Sequence, residues 1–303
     1  MASSRPFHGG LNITELKALG LRPDQVGDFS ASINPLGVSP RVERAIRKVD
    51  LSSYPDPECT ELREALGEKL GIRRDRILVG NGSTELIHLV ARAWLRDGDS
   101  AAVFAPTFGE YEAACRLQQV EPFPIRAACE REFRWDMAEA TRLLAELQPA
   151  AVFMCNPNNP TGTYLEPGEV EACARAAGDN GLLVVDEAYA SFVDKRWDPA
   201  PLLEVGNVAL VRSMTKDHGL PGLRAGVHGG ADPDGTGGAA FPVHVERERG
   251  RPGGRHGRSG QPGPRGGRPT GRECRQGVPG ARDSWSRPGV CARERQLPAG
   301  AGG

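Results

Sequence analysis

Leu182-Leu183-Val184-Val185-Asp186-Glu187-Ala188-Tyr189 is a run of four apolar residues that ends in two carboxylates. A strand with no polar residue in it is covered on both faces, the situation of a parallel sheet packed between helices. The same signature recurs at 101–105, 151–155 and 208–211, and in shorter form at 77–80, which ends in glycine. Segments of helical spacing separate these runs. Residues 61–70 place Leu62, Leu66 and Leu70 on one stripe, and further segments cover 83–95, 111–117, 137–147 and 167–177. Pro167 suits a first helical position, where no backbone N–H is needed, and Ser83 reads as the N-cap of its helix. Apolar strands alternating with amphipathic helices predict an α/β fold with a mainly parallel sheet covered on both sides.

In open α/β sheets ligands bind beyond the carboxyl ends of the strands, and four stretches placed there carry chemistry. Ser213-Met214-Thr215-Lys216 and then Gly222-Leu223-Arg224-Ala225-Gly226 follow the run at 208–211. A lysine there can bond an aldehyde once its ammonium has lost a proton. The hydroxyls of Ser213 and Thr215, with the fixed charge of Arg224, suit a phosphate dianion. Taken alone, Lys216 reads equally well as a surface lysine beside a turn. Asp186 can pair with a protonated ring nitrogen and Tyr189 can reach a ring hydroxyl, although an Asp after a strand is also a common helix cap. Asn156-Pro157-Asn158-Asn159-Pro160-Thr161-Gly162 forms a tight turn whose side-chain amide can face the same place. Gly80-Asn81-Gly82-Ser83-Thr84-Glu85 lets the backbone approach a ligand and offers helix-start amides to a phosphate.

Each stretch is modest by itself, but all four lie at strand ends, in an order that resembles the fold-type I pyridoxal-phosphate superfamily. The resemblance is to class I/II aminotransferases, in the branch of histidinol-phosphate aminotransferases and threonine-phosphate decarboxylases, and covers roughly residues 7–234. It implies an aspartate aminotransferase-like three-layer sandwich and pyridoxal 5′-phosphate as cofactor. By the same resemblance Lys216 is the lysine that bonds the cofactor, Asp186 pairs with the pyridine nitrogen, and Tyr189 and Asn159 bond the ring hydroxyl. Gly82, Ser83, Thr84, Ser213, Thr215 and Arg224 cradle the phosphate. Tyr111, in Pro106-Thr107-Phe108-Gly109-Glu110-Tyr111, stacks on the ring. Tyr54, in Tyr54-Pro55-Asp56-Pro57, reaches the phosphate of a neighbouring subunit, which implies a homodimer. His8-Gly9-Gly10 and Asp28-Phe29-Ser30-Ala31-Ser32-Ile33-Asn34-Pro35-Leu36-Gly37 resemble the decarboxylases more than the aminotransferases, and assign His8 and Asn34 to the substrate. The expected reaction is the lyase step that decarboxylates L-threonine O-3-phosphate in cobalamin biosynthesis. The alternative is amino transfer from glutamate to imidazole-acetol phosphate.

Composition bounds the rest. The 303 residues carry a net charge of −1, so the chain as a whole shows no bias toward nucleic acid. Its seven cysteines include no Cys-x-x-Cys pair and no zinc-ligand spacing with histidine, so no metal site is expected. Residues 1–10 have no apolar core of the secretory kind, and no run approaches the roughly 20 apolar residues of a membrane span. The expectation is a cytoplasmic chain with reduced thiols.

Three segments are expected: an N-terminal arm at 1–35, an incomplete cofactor-binding domain at 36–234, and a Gly/Arg/Pro-rich disordered tail at 235–303. The tail contains no Lys, Ile, Tyr, Asn or Met, with Leu297 its only leucine. It cannot bury enough apolar area to offset an ordering cost of about 1–2 kcal/mol per residue. A flexible RNA-binding polycation is another class of reading, disfavoured by the scarcity of aromatics among the arginines. A shifted reading frame explains the composition better. Val243-His244-Val245-Glu246-Arg247-Glu248-Arg249 can be encoded by GTC CAC GTG GAA CGT GAA CGC, which one base later reads S-T-W-N-V-N. The 293–301 stretch can likewise be shifted to A-S-A-N-F-L-L-V. Both products resemble the family's continuation, in the same phase and in the right order. The small C-terminal domain that binds the substrate carboxylate is therefore expected to be missing, and the truncated chain to be inactive or nearly so.

Overall fold

The structure is a computed structural model that describes residues 9–223 and 225–230; His8, Arg224 and the 235–303 segment lie outside the described residues. The strands are β1 Ile77–Asn81, β2 Ala101–Ala105, β3 Phe123–Arg126, β4 Ala151–Cys155, β5 Leu182–Asp186, β6 Val208–Ser213 and β7 Ala225–Gly230. They form one sheet in the order β1-β7-β6-β5-β4-β2-β3. From β6 to β3 the strands are parallel, and β7 lies antiparallel between β1 and β6. The helices are α1 Ile13–Ala18, α2 Pro40–Ile46, α3 Thr60–Leu70, α4 Gly82–Trp94, α5 Glu110–Leu117, α6 Met137–Leu147 and α7 Pro167–Ala176.

Successive strand residues point to opposite faces, and the core divides accordingly. Val103, Phe153, Val184 and Val211 pack on one side with Leu86, Ile87 and Val90 of α4 and Ala114 of α5. Phe104, Val152, Met154, Leu183, Val185 and Leu210 pack on the other with Leu144 of α6 and Val170 and Cys173 of α7. Both faces of β2, β4 and β5 are buried throughout, which is why these strands are apolar at every position. The result is the three-layer α/β sandwich that the sequence predicts. Pro167 opens α7 at its first position. The N-cap of α4 is Asn81 rather than Ser83, which falls inside the first turn. The reason is local: Gly82 has φ +82°, and the Glu85 carboxylate accepts from both the backbone N–H and the side chain of Asn81.

Register aligns the carboxyl ends that build the site. Cys155 of β4 stands beside Asp186 of β5, and Asp186 beside Val211 of β6. Ser213, Gly226 and Gly80 form a row across β6, β7 and β1.

Candidate active site

A cavity of about 580 Å³ opens at these strand ends. Its wall contains Gly82, Ser83, Thr84, Tyr111, Asn159, Asp186, Tyr189, Ser213, Thr215 and Lys216, all singled out in the sequence. Asp186 is the last residue of β5 and is 2 % exposed. Its Oδ1 accepts the Ala188 N–H at 2.9 Å and its Oδ2 accepts the Tyr111 hydroxyl at 2.9 Å. Burial pushes its pKa up to about 6, against the pull of those two hydrogen bonds and of the Lys216 charge. A carboxylate in this state gains from a cationic N–H partner. Burial likewise pushes the Tyr189 hydroxyl up to about 12, so at neutral pH it keeps its proton and can donate. The Lys216 Nζ lies 5.8 Å from the centre of the Tyr189 ring.

The opposite wall is suited to an anion. Ser213 and Thr215 are buried, with their hydroxyls 2.7 Å apart. The first turn of α4 is free of side-chain caps, and its amides carry the positive end of the helix dipole. Gly226 makes the cradle possible: a Cβ there would fall 2.4 Å from the Gly82 carbonyl carbon and 2.5 Å from the Ser83 nitrogen. Only glycine lets β7 lie this close to the helix start. The donor set therefore matches a phosphorylated pyridine aldehyde: an amine, a buried carboxylate, hydroxyls and helix amides around one cavity.

The structure adds detail at two of the assigned positions. Tyr111 belongs to the cavity wall. It is fully buried, lies stacked on Phe153 with centroids 5.8 Å apart, and commits its hydroxyl to Asp186. Phe108, three residues earlier and edge-on to Tyr111, also lines the cavity. It is an aromatic in the loop after β2, and its place in the Pro106–Tyr111 stretch is the available signal. Asn34 does not line the cavity; it bonds the backbone of the Lys216 loop. Its neighbours Ser30, Ala31, Ser32 and Ile33, together with Gly9, form that part of the wall instead.

Tyr54 is fully exposed and is not part of the wall of its own cavity. His8 and Arg224 lie outside the described residues. Cys155 also faces the cavity, its thiol pushed up to about 12 by burial. Among the described residues no cluster of His, Cys, Asp and Glu could hold a metal ion, and no helix is long and apolar enough to cross a membrane.

Comparison with known proteins agrees with this fold. The family model described as "Aminotransferase class I and II" matches residues 24–234. A histidinol-phosphate aminotransferase of Moorella thermoacetica is 34% identical over 233 residues, which is 74% of this chain and 58% of that protein. The structure of histidinol-phosphate aminotransferase from Sinorhizobium meliloti in complex with pyridoxal 5′-phosphate aligns with a TM-score of 0.61 at 26% identity, over 67% of this chain and 56% of that one. L-Threonine-O-3-phosphate decarboxylase from Porphyromonas gingivalis aligns with a TM-score of 0.55 at 27% identity, over 68% and 62%. The chain thus spans about three-fifths of the length of these relatives.

Proposed function

The chain belongs to the class I and II aminotransferase family, and from that premise we propose that it is a pyridoxal 5′-phosphate enzyme acting on a phosphorylated amino compound. The observation that carries the proposal is that one cavity brings together the Lys216 amine and the buried Asp186 carboxylate. When bound, the cofactor supplies an electron sink for a bond broken at the substrate α-carbon. The chain's residues hold and tune it. Lys216 provides the amine that bonds the aldehyde. Asp186 offers its carboxylate to the ring nitrogen, and the Tyr111 hydroxyl and Ala188 N–H keep that carboxylate aimed and ionised. Tyr189 and Asn159 serve the ring hydroxyl, with Tyr189 as donor. Ser83, Thr84, Ser213, Thr215 and Arg224 hold the phosphate, while Phe108 covers a ring face. Tyr54 belongs to a neighbouring copy's site, in a homodimer.

For the reaction, decarboxylation of L-threonine O-3-phosphate is the first reading. It is supported by the resemblance of the arm's sequence to decarboxylases, an arm whose Gly9 and Ser30–Ile33 line the cavity. Amino transfer with imidazole-acetol phosphate is the second, supported by the 34% identity to a histidinol-phosphate aminotransferase. The test is a parallel assay of purified chain with added cofactor: carbon dioxide release from threonine phosphate, and glutamate consumption with imidazole-acetol phosphate. The incomplete chain is expected to turn over slowly at best, so the readout is which trace activity rises above a blank of free cofactor: carbon dioxide release favours the first reading, and amino transfer alone makes the second the correct one.

A further inference from the structure

Asn34 opens a short turn at the end of the arm, closed by the Gly37 N–H donating to the Asn34 carbonyl at 3.3 Å. Its polar atoms are directed at two neighbours. The backbone N–H donates to the Lys216 carbonyl at 3.0 Å, and Nδ2 donates to the next carbonyl, that of Asp217, at 2.8 Å. Oδ1 accepts the Leu36 N–H at 2.9 Å. One side chain thus shapes the arm turn and holds the loop that carries Lys216. The backbones also meet closely: a Cβ on Gly219 would lie 2.9 Å from the Gly37 oxygen. On the far side of the loop, the Ser191 hydroxyl donates to the Asp217 carboxylate at 2.8 Å. The lysine loop is held between the arm and the segment that follows Tyr189.

We infer that Asn34 is a positioning residue for Lys216 and couples it to the arm. Bonding two consecutive carbonyls fixes both peptide planes that flank Asp217, and with them the backbone from which the Lys216 side chain departs. The same contact anchors Ser30, Ala31, Ser32 and Ile33 at the cavity wall, so placing the lysine and closing the arm are a single structural event. A substrate role for Asn34 is disfavoured by geometry, since its acceptor is taken by Leu36 and one donor by Asp217. The consequence for cofactor bonding rests on the reading of Lys216 given above, whereas the clamp itself does not.

Three full-length variants separate the parts. Asn34→Asp keeps an acceptor for the Leu36 N–H and loses the donor to the Asp217 carbonyl. Asn34→Ala loses both, and Ser191→Ala loosens the loop from its other side. Hydrogen exchange is measured first, by mass spectrometry, on cofactor-free protein. One lost hydrogen bond corresponds to about five- to tenfold faster exchange. That acceleration is expected over 214–220 in Asn34→Asp, and over both 214–220 and 30–38 in Asn34→Ala. The second measurement is the rate at which pyridoxal phosphate becomes fixed on Lys216, trapped with borohydride and located by peptide mapping. Both Asn34 variants should slow it by a similar factor. They should also shift the pH midpoint of the bound cofactor's absorbance, and Ser191→Ala should add little to Asn34→Asp. Wild-type exchange over 214–220 in Asn34→Asp overturns the clamp, and an unchanged trapping rate overturns the positioning role. If wild-type protein fixes no pyridoxal phosphate at all, the functional reading fails and exchange alone decides the clamp.

Discussion

A carboxylate driven into an apolar sheet end is costly unless something positive meets it, and Asp186 shows this most directly. Its folded pKa of about 6 lies above the ordinary 3.8 because burial disfavours the charge. The folded state therefore keeps a proton that the unfolded chain has released between these values, and stability falls as pH rises through that window. At about 1.4 kcal/mol per pH unit the loss in cofactor-free protein is on the order of 3 kcal/mol by pH 7. Asp186→Asn should flatten this window in urea unfolding measured from pH 4 to 7, whereas parallel profiles for the two proteins would count against the burial account. Exposed carboxylates such as Asp50 are common to both proteins and cancel in the comparison. At this scale the sequence is informative about residue type and poor about direction. Lys216, Asp186 and Tyr189 are legible because each follows an apolar strand. That Phe108 joins Tyr111 in the cavity wall is not, because that depends on where α5 starts. With Glu110 as its first residue, Tyr111 turns inward under the sheet end and Phe108 stays in the preceding loop.

Elements make the phosphate cradle, and one glycine holds them together. Gly226→Ala places a methyl group against the backbone of Gly82 and Ser83, neither of which can swing aside as a side chain would. The strand and the helix start must part. The expected destabilisation is about 1–3 kcal/mol, with cofactor binding weakened by at least about tenfold. Gly168→Ala is the control, because it faces open space in the first turn of α7 and should be neutral or slightly stabilising. Fluorescence titration with pyridoxal phosphate distinguishes them; equal affinities in the two variants would contradict the cradle. The same glycines explain why β7 was not legible. Ala225-Gly226-Val227-His228-Gly229-Gly230 has no apolar run, and its strand state comes from pairing on both sides. β3 was hidden for another reason: it is an edge strand of four residues with Pro124 inside, where neither alternation nor length stands out. By contrast β2, β4 and α6 are recovered to the residue, since two-sided burial and amphipathic spacing leave no other pattern.

For the whole molecule, the arm and the region before α3 expose large apolar groups. Phe29, Leu36, Leu51 and Tyr54 are each at least 90 % exposed in the single chain. The proposed homodimer would cover this surface, and the shared site it implies makes the pairing testable. Tyr54→Ala and Lys216→Ala chains, each binding pyridoxal phosphate poorly alone, should recover one tight site per mixed dimer after subunit exchange. A monomer in sedimentation that binds cofactor fully would contradict this. The 235–303 segment is proposed to be a shifted frame on composition and on its two in-phase alternative translations. Resequencing the coding DNA should reveal a single-base change near codon 235 that restores the family-like reading, and an intact frame through Gly303 would dispose of it. Frame cannot be read from folding patterns, but a loss of periodicity and of five residue types at one point is visible without a structure.

Lys216, at the end of β6, is proposed to carry the cofactor. Purified chain incubated with pyridoxal phosphate should develop an absorbance band near the visible edge, lose it on borohydride reduction, and yield one labelled peptide containing Lys216. Lys216→Ala should show neither band nor label. A reducible band that persists in Lys216→Ala, with the label on another lysine, would contradict the account.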